Sequence, residues 1–195
     1  MLIPTRRECL NLMKKTLMPL HIQKHSILVT EIALFLSKLL NLNGTKLDLS
    51  LVQAGGLLHD IAKARSLSSG ERHERLGAKL LHDWGYVGLA SIVQDHVSLD
   101  LIRLSGPITE SLIVNYADKR VKHDHVVTLE ERFADLVERY AKTPQHEAHL
   151  QQRFRQYSVL EQRIFDHLTI RPDAKELMQL SLKIVGDNGG EVYDE

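Results

Sequence analysis

The stretch HIQKHSILVTEIALFLSKLL, residues 21–40, decides the fold. Leu28, Val29, Ile32 and Leu36 recur along it at the spacing of one helix face, so it reads as a long helix ending near Asn43-Gly44, with Pro19 able to stand at its first position. The pattern repeats outward. Arg7 to Leu17 carries Leu10, Met13 and Leu17 on one face. Ser50 with Gln53 makes a capping-box pattern ahead of LVQAGGLLHDIAK, residues 51–63. A polar loop, RSLSSGER (65–72), leads to the helix HERLGAKLLHDW, closed by Gly85, and VGLASIVQDHV (87–97) reads as a short apolar helix. After Gly106-Pro107, Thr109 opens ESLIVNYADKRVKH, and Thr128 with Glu131 caps LEERFADLVERYA. Pro144 opens a long polar helix through Leu168, and Pro172 opens DAKELMQLSLKIV. Only HVVTL (125–129) and the turn near Tyr86 look strand-like, and neither has the alternating length of a sheet strand. The expectation is an all-α, single-domain bundle of about nine helices over 1–195, with a helical pair at 145–185 and a flexible tail at 186–195.

Composition narrows the function. The 195 residues can bury roughly 70% of the unfolded surface without staples. Lys+Arg 25 against Asp+Glu 25 gives a formal charge of +0, which argues against a nucleic-acid polymer or a membrane surface as partner. The lone Cys9 excludes an internal disulfide and a multi-cysteine zinc site. No apolar run approaches the ~20 residues of a membrane span, and the N-terminus lacks a secretory pattern, so a cytoplasmic chain is expected. Eleven histidines, against ten aromatic residues, are the outlying count.

Several of these histidines fall on apolar faces. His25 shares the stripe of Leu28, Val29, Ile32 and Leu36, one turn after His21. Taken alone, it reads best as a core histidine bonded to a backbone carbonyl. His59-Asp60 ends the apolar approach LVQAGGLLHD, where Gly55-Gly56 implies a closely approaching backbone. His82-Asp83 and His123-Asp124 lie in more polar surroundings and read as surface or loop residues. His73 has Gly77 one turn on, and His96 follows Ile92 and Val93. Asp118 sits in LIVNYADKRV, where a salt bridge to Lys122 is the bland alternative to metal ligation. Four histidines and two aspartates from five helices would leave buried polar atoms unpaired without a cation. Mixed imidazole and carboxylate ligands suit Fe, Mn, Co, Ni or Zn better than Mg.

In this order, His25, His59-Asp60, His73, His96 and Asp118 resemble the HD-domain superfamily of metal-dependent phosphohydrolases, over roughly residues 20–140. The matching stretches are KHSILVTEIA, GGLLHDIAK, HERLGA, IVQDHV and NYADK. The form is most similar to the bacterial branch that hydrolyses diadenosine tetraphosphate and related nucleotides. The resemblance implies two divalent metals: His25, His59 and Asp118 on one, His73 and His96 on the other, and Asp60 bridging both. It implies hydrolysis of a nucleotide or small phosphoester through a metal-bridging hydroxide. Lys63, one turn after His59, is expected to bind phosphate, with Arg65, Lys119 and Lys122 as weaker candidates and Ser66 to Arg72 as a mobile lid. A catalytically silent metal- or nucleotide-sensing module and a di-iron oxygenase on the same ligands are the competing readings. Base-stacking residues are few, with Trp84, Tyr86 and Tyr116 nearest in sequence, and the oligomeric state stays open.

Overall fold

Helix α2 (Leu20–Leu42) runs through the centre of the molecule and buries Leu28, Val29, Ile32, Leu36 and Leu40 completely. It has the length and apolarity of a membrane span, contrary to the sequence expectation, yet more than half of that window is buried inside the protein. Pro19 stands at its N-cap, one residue earlier than expected, and its carbonyl accepts the Ile22 and Gln23 amides. The computed structural model describes residues 1–97 and 104–180, together with two short strands at 184–185 and 191–192.

Around α2 lie α1 (Arg6–Lys15), α3 (Leu49–Leu58), α4 (Lys63–Ser69), α5 (His73–Asp83), α6 (Val87–Asp95), α7 (Glu110–Asp118), α8 (Leu129–Tyr140), α9 (Pro144–Phe165) and the four-residue α10 (Lys175–Met178). The fold is therefore all-α, with nine helices of seven or more residues among the described residues. Strands β1 (Val121–Lys122) and β2 (His125–Val126) form one hairpin; β3 (Ile184–Val185) and β4 (Glu191–Val192) form another antiparallel pair.

Local chemistry accounts for most boundaries. Thr5 with Glu8 and Thr128 with Glu131 are complete capping boxes opening α1 and α8. The cap of α3 is Asp48, not Ser50: its carboxylate accepts the Ser50 and Leu51 amides. Residues 65–69, expected as loop, are helical. Ser66 and Ser68 hydroxyls donate to the Lys63 and Arg65 carbonyls, and Gly70 closes the helix in the left-handed conformation at φ 71°. The expected continuation of α7 through His123 instead turns into the β1–β2 hairpin, with His123 at φ 58°. Helix α9 ends at Phe165 rather than Leu168. The long helix expected from Pro172 reduces to α10 among the described residues, with β3 falling at its expected end, and most of the expected tail lies outside them.

Two apolar clusters fill the interior. One joins α2, α7 and α9 through residues such as Leu36, Ile113, Leu160 and Ile164, and the other gathers Met13, Ile22, Leu58, Leu81 and Leu89. The close approach expected at Gly55-Gly56 is present. A Cβ on Gly56 would lie 2.6 Å from Thr30 Oγ1 and 3.0 Å from Thr30 Cα. That contact presses α3 against α2 and fixes the height at which α3 delivers its last turn.

Candidate metal centre

His59 and Asp60 lie just past the end of α3, in the turn leading to α4, rather than within a helix. The fully buried His59 donates Nδ1–H to the Gly56 carbonyl at 2.7 Å, which leaves Nε2 as a bare acceptor facing inward. His96, just past α6, does the same: Nδ1–H donates to the Val93 carbonyl at 2.6 Å, and Nε2 points away from it. Backbone acceptors thus set both tautomers, as outer partners of ligating imidazoles do. Asn115 Nδ2 donates to the Asp95 carbonyl at 2.8 Å, steadying the turn that carries His96.

The remaining groups arrive from three further helices. His25, on the inner stripe of α2, places Nε2 2.9 Å from Asp118 Oδ1, so its partner is a carboxylate and not the backbone carbonyl of the bland reading. Asp118 is the last residue of α7; its Oδ1 also lies 3.7 Å from His59 Nε2. His73 opens α5, and its Nε2 sits 3.1 Å from His96 Nε2 and 3.2 Å from Asp60 Oδ1. Asp60 Oδ2 is 3.5 Å from His59 Nε2, and Oδ1 is 3.6 Å from His96 Nε2. All six residues named from the sequence therefore converge.

The electrostatics match this crowding. Burial pushes the His59 imidazole down to about 3, so it is neutral at ordinary pH. Burial pushes the Asp60 carboxyl up, but His59, the approach of His73 and His96, and Lys63 outweigh it and hold the group well below the usual carboxylate range. Asp118 behaves alike, with Lys119, His25 and His59 outweighing its burial. Two buried atoms, His59 Nε2 and Asp60 Oδ1, have no hydrogen-bond partner among the described residues. An acceptor nitrogen and a carboxylate oxygen left bare side by side are what a cation would satisfy. His25, His59 and Asp118 form one triad, and His59, Asp60 and His96 another, each with ligand atoms within 4.8 Å. Nitrogen and carboxylate donors in this mixture fit a divalent transition metal.

The cluster opens into a cavity of about 800 Å³. Lys63 lines it and donates to Asp60 Oδ2 at 2.7 Å; burial pulls its ammonium down, but Asp60 and Asp118 outweigh that and hold it above its ordinary value. Lys119 lines it and pairs with Asp118 Oδ2. Lys122 does not face Asp118; it binds Asp135 at 3.2 Å. Arg65 is exposed on α4 and is not part of the cavity wall, and of the expected lid, Ser66 to Arg72, residues 66–69 are helix. His123-Asp124 are exposed turn residues, in keeping with the surface or loop reading, and they also border the cavity. Tyr116 is buried under Arg120 and Glu161, and neither it nor Trp84 nor Tyr86 reaches the cavity. The sequence reading missed a further part of the wall: Arg132, Phe133, Leu136, Arg139 and Tyr140 of α8, with Arg153 of α9. Their spacing of one, four, seven and eight residues from Arg132 puts those five on one face of α8, a signal present in the sequence.

Residues 22–143 match the family model described as HD domain. The chain belongs to the HD-domain family. HD-domain proteins are for the most part metal-dependent hydrolases, and the convergent His/Asp groups here agree with divalent-metal binding. An uncharacterised protein of Methanocaldococcus jannaschii is 29% identical over 137 residues, covering 66% of this chain and 80% of that protein. The tRNA (cytidine(56)-2'-O)-methyltransferase of Thermoplasma volcanium is 32% identical over 162 residues, covering 72% of this HD-domain chain but only 46% of the methyltransferase. No solved structure matches.

Proposed function

We propose that this HD-domain protein is a metal-dependent phosphohydrolase acting in the cytoplasm on a nucleotide or other small phosphoester, with two divalent metals at the His/Asp cluster. The observation that carries the reading is the placing of Asp60: its two oxygens face different ligand sets on the wall of a cavity that also holds Lys63 and Lys119. His25, His59 and Asp118 would hold one ion, His73 and His96 the other, and Asp60 both. Bound there, such ions supply Lewis acidity and an activated water for in-line phosphoryl displacement. The protein's part is to orient and to neutralise. Gly56 and Val93 carbonyls keep the His59 and His96 acceptor nitrogens turned inward. Lys63, already ion-paired to Asp60, offers its remaining N–H donors to a phosphoryl oxygen as a compact charge. Lys119 plays the same part beside Asp118.

The test is elemental analysis of protein purified without chelator under reduced oxygen, followed by a phosphate-release screen led by diadenosine tetraphosphate and mononucleotides with Fe, Mn, Co, Ni and Zn. About two metals per chain with phosphate release supports the reading, and His73→Ala should then leave at most one metal. No bound metal after reconstitution overturns it. Bound iron with oxygen consumption and no phosphate release favours the oxygenase alternative, and metal binding without turnover favours the sensor.

A further inference from the structure

The chain is formally neutral, yet six Lys and Arg side chains line the cavity against three carboxylates, Asp60, Asp118 and Asp124. Lys63 and Lys119 are paired with Asp60 and Asp118, the first two of those. Asp124 lies 2.7 Å from His125 Nδ1. The remaining cations are Lys24 of α2, Arg153 of α9, and Arg132 and Arg139, which α8 carries around a buried carboxylate.

That carboxylate is Asp135, its side chain 3% exposed. Arg132 Nη1 donates to Oδ2 at 2.9 Å, Arg139 Nε to Oδ1 at 2.9 Å, and Lys122 Nζ approaches Oδ1 at 3.2 Å. Three cations on one carboxylate leave two positive charges uncompensated. The arrangement differs from a solvated basic patch in one respect. The Arg132 side chain is only 18% exposed, and its buried Nε has no hydrogen-bond partner among the described residues. Withdrawing a guanidinium from water without pairing its donors is unfavourable unless something else completes it. Arg139 is fixed at its other end as well, donating Nη2–H to His123 Nε2 at 2.7 Å. Between the arginines, the same helix face presents Phe133 and Leu136, with Tyr140 at the rim and Leu150 of α9 beside them. An organic body can lie on this apolar strip while charge is met at both ends.

We propose that Arg132 and Arg139, arrayed by the buried Asp135, form a second anion subsite in the cavity that holds the metal cluster, so that the substrate is an organic phosphate whose leaving portion carries a second anionic group. This inference rests on the phosphohydrolase reading and adds the shape of the substrate to it. Arg and carboxylate or phosphate pair as forks, so the subsite selects for a second oxyanion rather than for a neutral group. Asp135 is a positioning residue: it touches no substrate and sets the direction of both forks.

The experiment is calorimetric titration of the full-length, metal-loaded protein with methylphosphonate and with alkane-α,ω-bisphosphonates of three to six carbons, none of which turns over. The best bisphosphonate is expected to bind about tenfold tighter than methylphosphonate, as one additional charge-assisted contact of about 1.4 kcal/mol would give. In Arg132→Gln/Arg139→Gln that ratio should fall below about threefold. Arg139→Gln alone, at the more exposed position, should lower it part of the way and keeps the test available if the double variant does not fold. Equal affinities in the unaltered protein, or an unchanged ratio in the variants, overturns the subsite. Because the titration needs no hydrolysis, failure of the phosphate-release screen would sink the phosphohydrolase reading and leave this ratio to be judged separately.

Discussion

Asp60 and His73 meet across the gap between the α3–α4 turn and the first residue of α5, with Asp60 Oδ1 3.2 Å from His73 Nε2, while Asp60 Oδ2 faces His59 at 3.5 Å. One carboxylate therefore serves both halves of the cluster. Asp60→Ala should strip metal from both halves at once, lowering metal affinity by well over the ~10–100-fold seen when only an outer partner of a ligand is lost. Phosphate release should vanish with the metal. Elemental analysis reads this directly, and full metal content in Asp60→Ala would refute the bridging role.

Gly56→Ala tests the packing that presents His59. The added methyl would meet the Thr30 backbone at 3.0 Å, where a side-chain rotation gives no relief. Overpacking of this kind destabilises by about 1–3 kcal/mol. The Gly56 carbonyl is also the acceptor for His59 Nδ1–H, so a shift of α3 disturbs the imidazole with it. The urea midpoint should fall with an unchanged slope, and metal affinity should fall with it. An unaltered midpoint would mean that α2 and α3 are not held this tightly.

Much of this was legible in the sequence because a single physical rule wrote it: apolar residues at helical spacing, interrupted by ionisable ones. His25 among Leu28, Val29 and Ile32 was visible in that way, as were the glycines at the α2–α3 contact. What the sequence hid was local. Serines read as loop formers, yet in α4 they bond back to the preceding turn. Lys122 stands four residues from Asp118, a good helical pair, but the hairpin at His123 turns it to Asp135 instead. The α8 arginines were given no role from the sequence. Only the tertiary placement of α8 makes them a cavity wall.

Acid should weaken the metal-free protein over a defined range. Folded His59 resists protonation down to about 3, whereas an unfolded histidine protonates near 6.5. Below that value the unfolded chain binds a proton that the folded chain refuses, so stability falls as pH drops from about 6.5 to about 3 and gains nothing from His59 above 6.5. Asp60 and Asp118 act in the same sense further down. Held below the usual range, they stabilise above roughly pH 4 and cease to as pH falls through their folded values. Urea midpoints in chelator at pH 7.5, 6 and 5 should decline, with a slope of up to about 1.4 kcal/mol per pH unit from one proton. His59→Asn should flatten the step between pH 6 and 5; an equal slope in that variant would place the titrating group elsewhere.

Lys63 separates substrate binding from metal binding. Its ammonium touches Asp60 Oδ2 at 2.7 Å and lines the cavity, but it carries a positive charge and cannot itself be a ligand. Lys63→Ala removes a cation next to the cluster, so the carboxylate it leaves behind remains free to hold metal and content should be retained. A phosphoryl oxygen would lose one charge-assisted partner, worth about 1.5–3 kcal/mol, which is roughly ten- to a hundredfold in kcat/KM. A rise in KM alone would show that Lys63 binds substrate and transition state equally. A fall in kcat would show that its contact strengthens as charge develops on the transferring group. Unchanged kinetics with unchanged metal would reduce Lys63 to a structural partner of Asp60 and move phosphate recognition to Lys119.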